Sequence, residues 1–262
     1  MPMFYFPYTL TFLAFFVFLF GLIIGSFLNC TIWRLYKNET LGGRSYCPNC
    51  RNKIVWYDNI PLFSFWNLGG RCRHCRENIS YQYPLVEFIT AILFLLVFLH
   101  DVSNVNYPWI LIRDWILISI LIIVFVYDLR WQLIPVFVLK ICGIIIFVLN
   151  LVLGYSFWTQ LLGASLLGGF FLLQYLATKK KGIGEGDIWL GLFLGSAFAD
   201  IKQLVLIVLI TYAIGSITGL SLVAFKDKGF KTKIALGPFL AIGAIITLIW
   251  GKPIVGWYFG LF

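Results

Sequence analysis

Two sets of residues in this 262-residue chain are spaced for chemistry. The first is a pair of C-x-x-C motifs, Cys47-Pro-Asn-Cys50 and Cys72-Arg-His-Cys75. Two such pairs about 20 residues apart suit tetrahedral thiolate ligation of zinc, each knuckle turn supplying two sulfurs. Four sulfurs leave the metal no open position. The site would therefore be structural, supplying folding energy to a segment with little core of its own. A reducing compartment argues against two disulfides. His74 is expected to be solvated rather than a ligand. Cys30 and Cys142 lie in apolar runs and are expected to pack as thiols.

The second set is acidic. The chain has only eleven Asp and Glu, and an ionisable group inside a membrane span costs roughly 2.5–3.5 kcal/mol on insertion scales. Most are expected to be solvated: Asp101, Asp114 and Asp200 at outer helix ends, Glu39, Asp58 and Glu77 in a polar loop, and Asp227 among lysines. Asp128, Asp187, Glu87 and Glu185 remain. Asp128, in "VFVYDLRWQLIP", ends one apolar run beside Arg130, and Asp187, in "KKKGIGEGDIWLG", opens another. If their helices touch, two carboxylates share a partly desolvated place and cannot easily both ionise. One can then take a proton from water while the other polarises a peptide carbonyl. Gly182, Gly184 and Gly186 would let a substrate strand approach Asp187. Asp187 also suits a capping role at a helix N-terminus. Asp128 sits near a helix C-terminus, where negative charge is unfavourable, which favours a functional or ion-paired role. Glu87 is read either as a first-turn acid reaching the interface or as a helper at the same site.

These residues must be positioned by membrane helices. The chain is 61% hydrophobic and 12% charged, with mean hydropathy +0.92, which excludes an ordinary soluble domain. Eight apolar runs, near 9–30, 84–100, 112–129, 134–153, 157–178, 186–200, 203–224 and 235–258, read as transmembrane helices of an all-α polytopic protein. The sixth is short and Gly-rich. The first has no basic region before it and reads as a retained helix rather than a cleaved signal. Net charge is +9, but the basic residues cluster between spans, which argues against nucleic acid as partner. The clusters at residues 34–76, at Lys179, Lys180 and Lys181, and at Lys226, Lys228, Lys231 and Lys233 are expected to be cytoplasmic. Both termini are then expected outside. Asp128, Asp187 and the four-cysteine loop fall on the cytoplasmic side. Three regions follow: a first helix at 1–33, the loop at 34–83 and a seven-helix core at 84–262. No internal repeat is expected, and helix glycines such as Gly168 and Gly169 are read as close-packing devices.

The chain as a whole, from about residue 20 to 250, resembles the prepilin peptidases, or type IV leader peptidases. The resemblance is carried by "GLIIGSFLNCTIWRL", by "CPNC" followed by "DNIPLFSFWNLGGRCRHCRENISYQYPLVE", and by "YDLRWQLIP", "GIGEGD" and "LGPFLAIG". It implies an eight-helix aspartic peptidase of the Gly-x-Gly-Asp type in the bacterial plasma membrane, with Asp128 and Asp187 catalytic; Glu87, Gly184 and Gly186 are candidate auxiliaries on the reading of the residues given above. It implies as substrates pilin or pseudopilin precursors with a basic leader and an apolar helix, cut after a glycine at the cytoplasmic face. Many relatives also methylate the new N-terminus with S-adenosylmethionine, though no motif marks where that donor binds. Trp189 stands where the family often has lysine, Gln82 where it commonly has arginine, and "ALGPF" replaces a more usual Pro-Phe-Gly-Pro-Phe.

Three other readings compete. A presenilin-like intramembrane protease also pairs Tyr-Asp with Gly-x-Gly-Asp, but is not expected to carry the four-cysteine loop. A proton- or cation-coupled transporter predicts pseudo-repeats and acids at the midplane. A structural assembly protein of a secretion machine needs neither aspartate.

Overall fold

The computed structural model describes residues 6–102, 107–179, 182–226 and 235–259. Lys180, Lys181, Asp227, Lys228, Lys231 and Lys233 lie outside the described residues. Among those described, the architecture is helical throughout, with two isolated β-bridges in the loop as the exception. The helices are α1 (Phe6–Lys37), α2 (Phe63–Asn67), α3 (Gln82–Asp101), α4 (Tyr107–Trp131), α5 (Val136–Val152), α6 (Phe157–Ala177), α7 (Glu185–Phe198), α8 (Ile201–Lys226) and α9 (Gly237–Phe259), with one 3₁₀ turn, η1 (Trp56–Asn59).

Each of the eight apolar runs becomes one helix, but not all have full spanning length. Six are long and apolar enough to cross a bilayer: α1, α3, α4, α6, α8 and α9. With 17 and 14 residues, α5 and α7 reach only about 26 and 21 Å at 1.5 Å per residue, short of a hydrocarbon core of about 30 Å.

The chain forms two compact units, Met1–Tyr107 and Pro108–Phe262. In the first, α1 and α3 run antiparallel at close range because two glycines four residues apart remove the side chains between them. A Cβ on Gly21 would lie 2.6 Å from the Ala91 Cα, and one on Gly25 would lie 2.6 Å from the Glu87 Cα. Asn29 extends the same register, its Nδ2 donating to the Tyr83 carbonyl at 3.0 Å.

In the second unit, α6 packs along α7 and α8 along α9. Gly163 and Gly195 meet backbone to backbone, and a Cβ on either would land on the other's carbonyl. Around that crossing, Leu121, Ile146, Phe171, Leu194, Ile207 and Leu240 form a continuous apolar core.

Two acids expected in solvent are buried and paired. Asp114 takes an ion pair from Arg113. Arg113 also reaches the Asn150 carbonyl oxygen, and Asn150 donates to the Ser196 and Ala197 carbonyls of α7. Asp101 accepts from His100 at 2.8 Å. The expectation failed because a charge near a helix end is solvated only where no neighbouring helix covers it. Asp200 is nearer its expected role, accepting from the Lys202 N–H at the start of α8.

Candidate active site

Helix α4 carries Asp128 in its last turn. Gln132 closes that helix in the left-handed region (φ 53°), its N–H donating to the Asp128 carbonyl at 2.9 Å. The Asp128 side chain is 4% exposed, and its Oδ2 accepts from the Gly237 N–H at 2.9 Å. Gly237 is the first residue of α9, so Asp128 answers one of the orphan donors at that helix's positive end. The unfavourable dipole of α4 is thus offset by the favourable one of α9. Arg130, two residues on, turns its guanidinium over the Trp131 ring at 5.3 Å.

Helix α7 brings Asp187 from the other direction. The residue lies in the first turn and is 7% exposed. Its Oδ2 accepts from the Gly184 N–H at 3.0 Å, while its own N–H donates to the Gly184 carbonyl at 3.2 Å. The expected cap is present, and it holds the carboxylate in one orientation. Both acids are buried, and each is steadied by a glycine N–H at a helix start.

The glycines have separate reasons to be glycine. A Cβ on Gly186 would fall 2.7 Å from the Ile134 Cβ. A Cβ on Gly237 would fall 2.5 Å from the Asp128 Oδ2. Gly184 has room for a side chain on its backbone and contributes its N–H. Sequence reasoning singled out Gly184 and Gly186 but gave Gly237 no role, although it lies in the quoted "LGPFLAIG". A Gly-Pro at a helix start was the available signal. Other contacts at this end were also missed. Tyr175 donates to the Glu185 Oε1 at 2.6 Å, Tyr212 donates to the Gln174 Oε1 at 2.7 Å, and Lys140 places its ammonium 4.1 Å from the Trp189 ring centre, a cation–π contact.

Glu87, the third acid, belongs to the first unit. Its Oε2 accepts from the Leu62 N–H at 2.8 Å, so it clamps the polar loop to α3.

That loop holds the four cysteines. The two knuckles repeat one geometry. Cys47 N–H bonds the Asn52 carbonyl and Arg51 N–H the Cys47 carbonyl; Cys72 N–H bonds the Glu77 carbonyl and Arg76 N–H the Cys72 carbonyl. Arg51 and Arg76 both take φ 59°, and bridges close each turn, Tyr46 with Lys53 and Arg71 with Asn78. The sequence repeat "CPNCRNKI" and "CRHCRENI" was therefore legible although no repeat was expected. The four Sγ atoms lie within 4.8 Å of one another, and Cys47 and Cys75 are 3.8 Å apart. A tetrahedron with Zn–S of about 2.3 Å has edges of about 3.8 Å, so the residues fit zinc. His74 is exposed and outside the cluster. Burial pushes the Cys47 thiol up to about 11, while the Cys75 N–H, followed by that of His74, draws Cys72 down to about 7. A bound cation would favour the thiolate at all four. The module is braced by Arg34, whose guanidinium donates to the carbonyls of Thr40, Leu41, Gly42, Gly43 and Arg44, and by an Arg73–Asp58 pair.

These features define a class: a polytopic helical membrane protein with a four-cysteine knuckle module and two buried aspartates at helix ends. Comparison with known proteins narrows it. Residues 19–100 match the bacterial peptidase A24 N-terminal domain, and residues 115–220 match the type IV leader peptidase family. The chain is 33% identical to a prepilin leader peptidase/N-methyltransferase of Aeromonas salmonicida, over 92% of both chains. It is 32% identical to one from Legionella pneumophila, over 92% of this chain and 93% of the relative. With one from Pseudomonas aeruginosa it shares 33%, over 92% and 91%. The chain belongs to the type IV leader peptidase family. No solved structure matched it.

Proposed function

We propose that this protein is a bacterial inner-membrane aspartic endopeptidase that removes the leader from type IV prepilins or pilin-like precursors and methylates the new N-terminus. The observation that supports the peptidase reading is that Asp128 and Asp187, at the ends of two apolar helices, are both buried and each held by a glycine N–H. In this reading one carboxylate is ionised and the other protonated, since two like charges so placed do not both ionise readily. The ionised acid takes a proton from water as its oxygen bonds to the scissile carbonyl carbon. The protonated acid gives its proton to the carbonyl oxygen. Collapse of the tetrahedral species breaks the C–N bond: the amine leaves with a proton from the first acid, and a hydroxyl of the gem-diol returns its proton to the second, which restores both acids. Gly184 and Gly237 fix the two carboxylates, and Gly186 lets α7 approach Ile134.

Glu87 enters as a positioning residue, acting through the loop it holds. Zinc, on Cys47, Cys50, Cys72 and Cys75, supplies structure and no reaction step. The substrate end is a basic leader followed by an apolar helix. The charge clusters between spans support a cytoplasmic location for the dyad and the cysteine loop, with both termini outside. S-adenosylmethionine supplies the methyl group for the second activity, which rests on the relatives' names.

The test is cleavage of a purified prepilin in liposomes by wild type, Asp128→Asn and Asp187→Asn, with zinc content measured in all three. Wild-type cleavage, its loss in both variants and unchanged zinc are expected. Cleavage surviving in both variants would remove the dyad. A further gain of one methyl mass on adding S-adenosylmethionine is expected in wild type.

A further inference from the structure

The segment Trp56–Asn67, comprising η1 and α2, has a place in the fold that its sequence does not announce. It belongs to the long polar loop, yet it does not stand away from the membrane helices. The Leu62 N–H bonds the Glu87 carboxylate. Glu87 is five residues into α3, about 7 Å below its start at 1.5 Å per residue. Across from it on α1 is Gly25, twelve residues and about 18 Å before the end of that helix at Lys37. Both helices are long and apolar enough to span a bilayer. The turn at Leu62 (φ 59°) therefore dips beside them to a level below both of their ends.

The side chains around that turn are those of a membrane interface rather than of a solvated loop. Trp56 is 75% exposed, Phe63 64% and Trp66 81%. Tyr57 and Ile60 are exposed beside them. Indole and phenol rings concentrate at the headgroup level, where an apolar body and a polar edge are both satisfied. The charge around them has one sign. Residues 34–83 hold eight Lys and Arg against three acids. Arg44, Arg51, Lys53, Arg71 and Arg76 are exposed or partly so. Interfacial segments bind through buried apolar area together with attraction of basic residues to acidic lipids. A basic leader peptide is repelled by such a surface, so a substrate leader is the poorer occupant.

We propose that Trp56–Asn67 is an interfacial anchor that seats the cysteine module on the anionic phospholipid surface of its own bilayer, with Glu87 setting its depth. The anchor makes no use of the aspartate dyad, so it stands or falls independently of the peptidase reading.

The experiment uses the full-length protein in lipid nanodiscs, with a fluorescent amino acid placed at Trp66 in one preparation and at Trp56 in another. Zinc content serves as the check that the loop is folded. Quenching is measured with a nitroxide at a shallow acyl position and with aqueous iodide, in pure phosphatidylcholine and in phosphatidylcholine mixed with phosphatidylglycerol. Several-fold stronger quenching by the lipid nitroxide than by iodide is expected at both positions, and the lipid quenching should rise with phosphatidylglycerol. Free access of iodide without lipid quenching at Trp66 in zinc-loaded protein would overturn the proposal. So would lipid quenching that does not respond to phosphatidylglycerol, since the basic surface would then play no part.

Discussion

Single atoms decide how the two aspartates are held. Asp128 reaches the first N–H of α9, and the partner residue is a glycine whose missing Cβ would stand 2.5 Å from the carboxylate. Gly237→Ala should displace that carboxylate with little effect on the rest of the fold. Peptidase kcat is expected to fall about 100-fold, the cost of an ångström-scale misplacement, with KM nearly unchanged in a steady-state assay. Asp58 offers a test of the cysteine module at the same scale. Its hydrogen bond from Arg73 holds it below the usual carboxylate range. A depressed folded-state pKa means the pair stabilises the loop above the ordinary Asp value of about 3.9, and this is lost as pH falls through the lower folded value. Zinc release on acidification should therefore begin at higher pH in Asp58→Asn than in wild type, with the two converging in strong acid. A chromogenic chelator follows both.

At the scale of elements, absent side chains do the positioning. Gly21 and Gly25 set α1 against α3, and Gly191 and Gly195 set α7 against α6. Small residues four apart let helix backbones touch, which is how helices associate where lipid removes the hydrophobic driving force. Gly195→Ala places a methyl on the Gly163 carbonyl, and backbone cannot yield as a side chain can. A loss of about 1–3 kcal/mol is expected, the usual range for overpacking, read as a lower midpoint in thermal unfolding in detergent. Because α7 carries Asp187, activity should fall as well. Replacing Gly169, which faces open space, should do neither.

For the whole molecule, the loop that carries the cysteines is tied to the membrane helices at Arg34 and Glu87. Removing zinc should loosen residues 44–79 and leave the membrane helices formed. Hydrogen exchange before and after chelation is expected to show faster exchange confined to that region. Circular dichroism should remain strongly helical. Cys47→Ser should reproduce the effect without chelator, since three thiolates hold zinc less well than four.

The sequence by itself determined what local chemistry and hydropathy dictate. Eight helices were legible because long apolar runs admit no other backbone in lipid, and the cysteine module because C-x-x-C fixes two ligands within one turn. Asp128 and Asp187 stood out because acids are scarce beside apolar runs. Tertiary structure alone decided what lies opposite each residue. It gave Asp128 the start of α9, over a hundred residues away, and so reversed the sign of the dipole argument. It buried Asp114 against Arg113 and Asn150, where helix position alone suggested solvent. It shortened α5 below spanning length, since composition does not count the residues a helix can keep once its ends are turned. It brought Leu62 down to Glu87. Each of these depends on which helix faces which, and that is set by the close approach of glycine-bearing backbones, an interaction between segments distant in sequence.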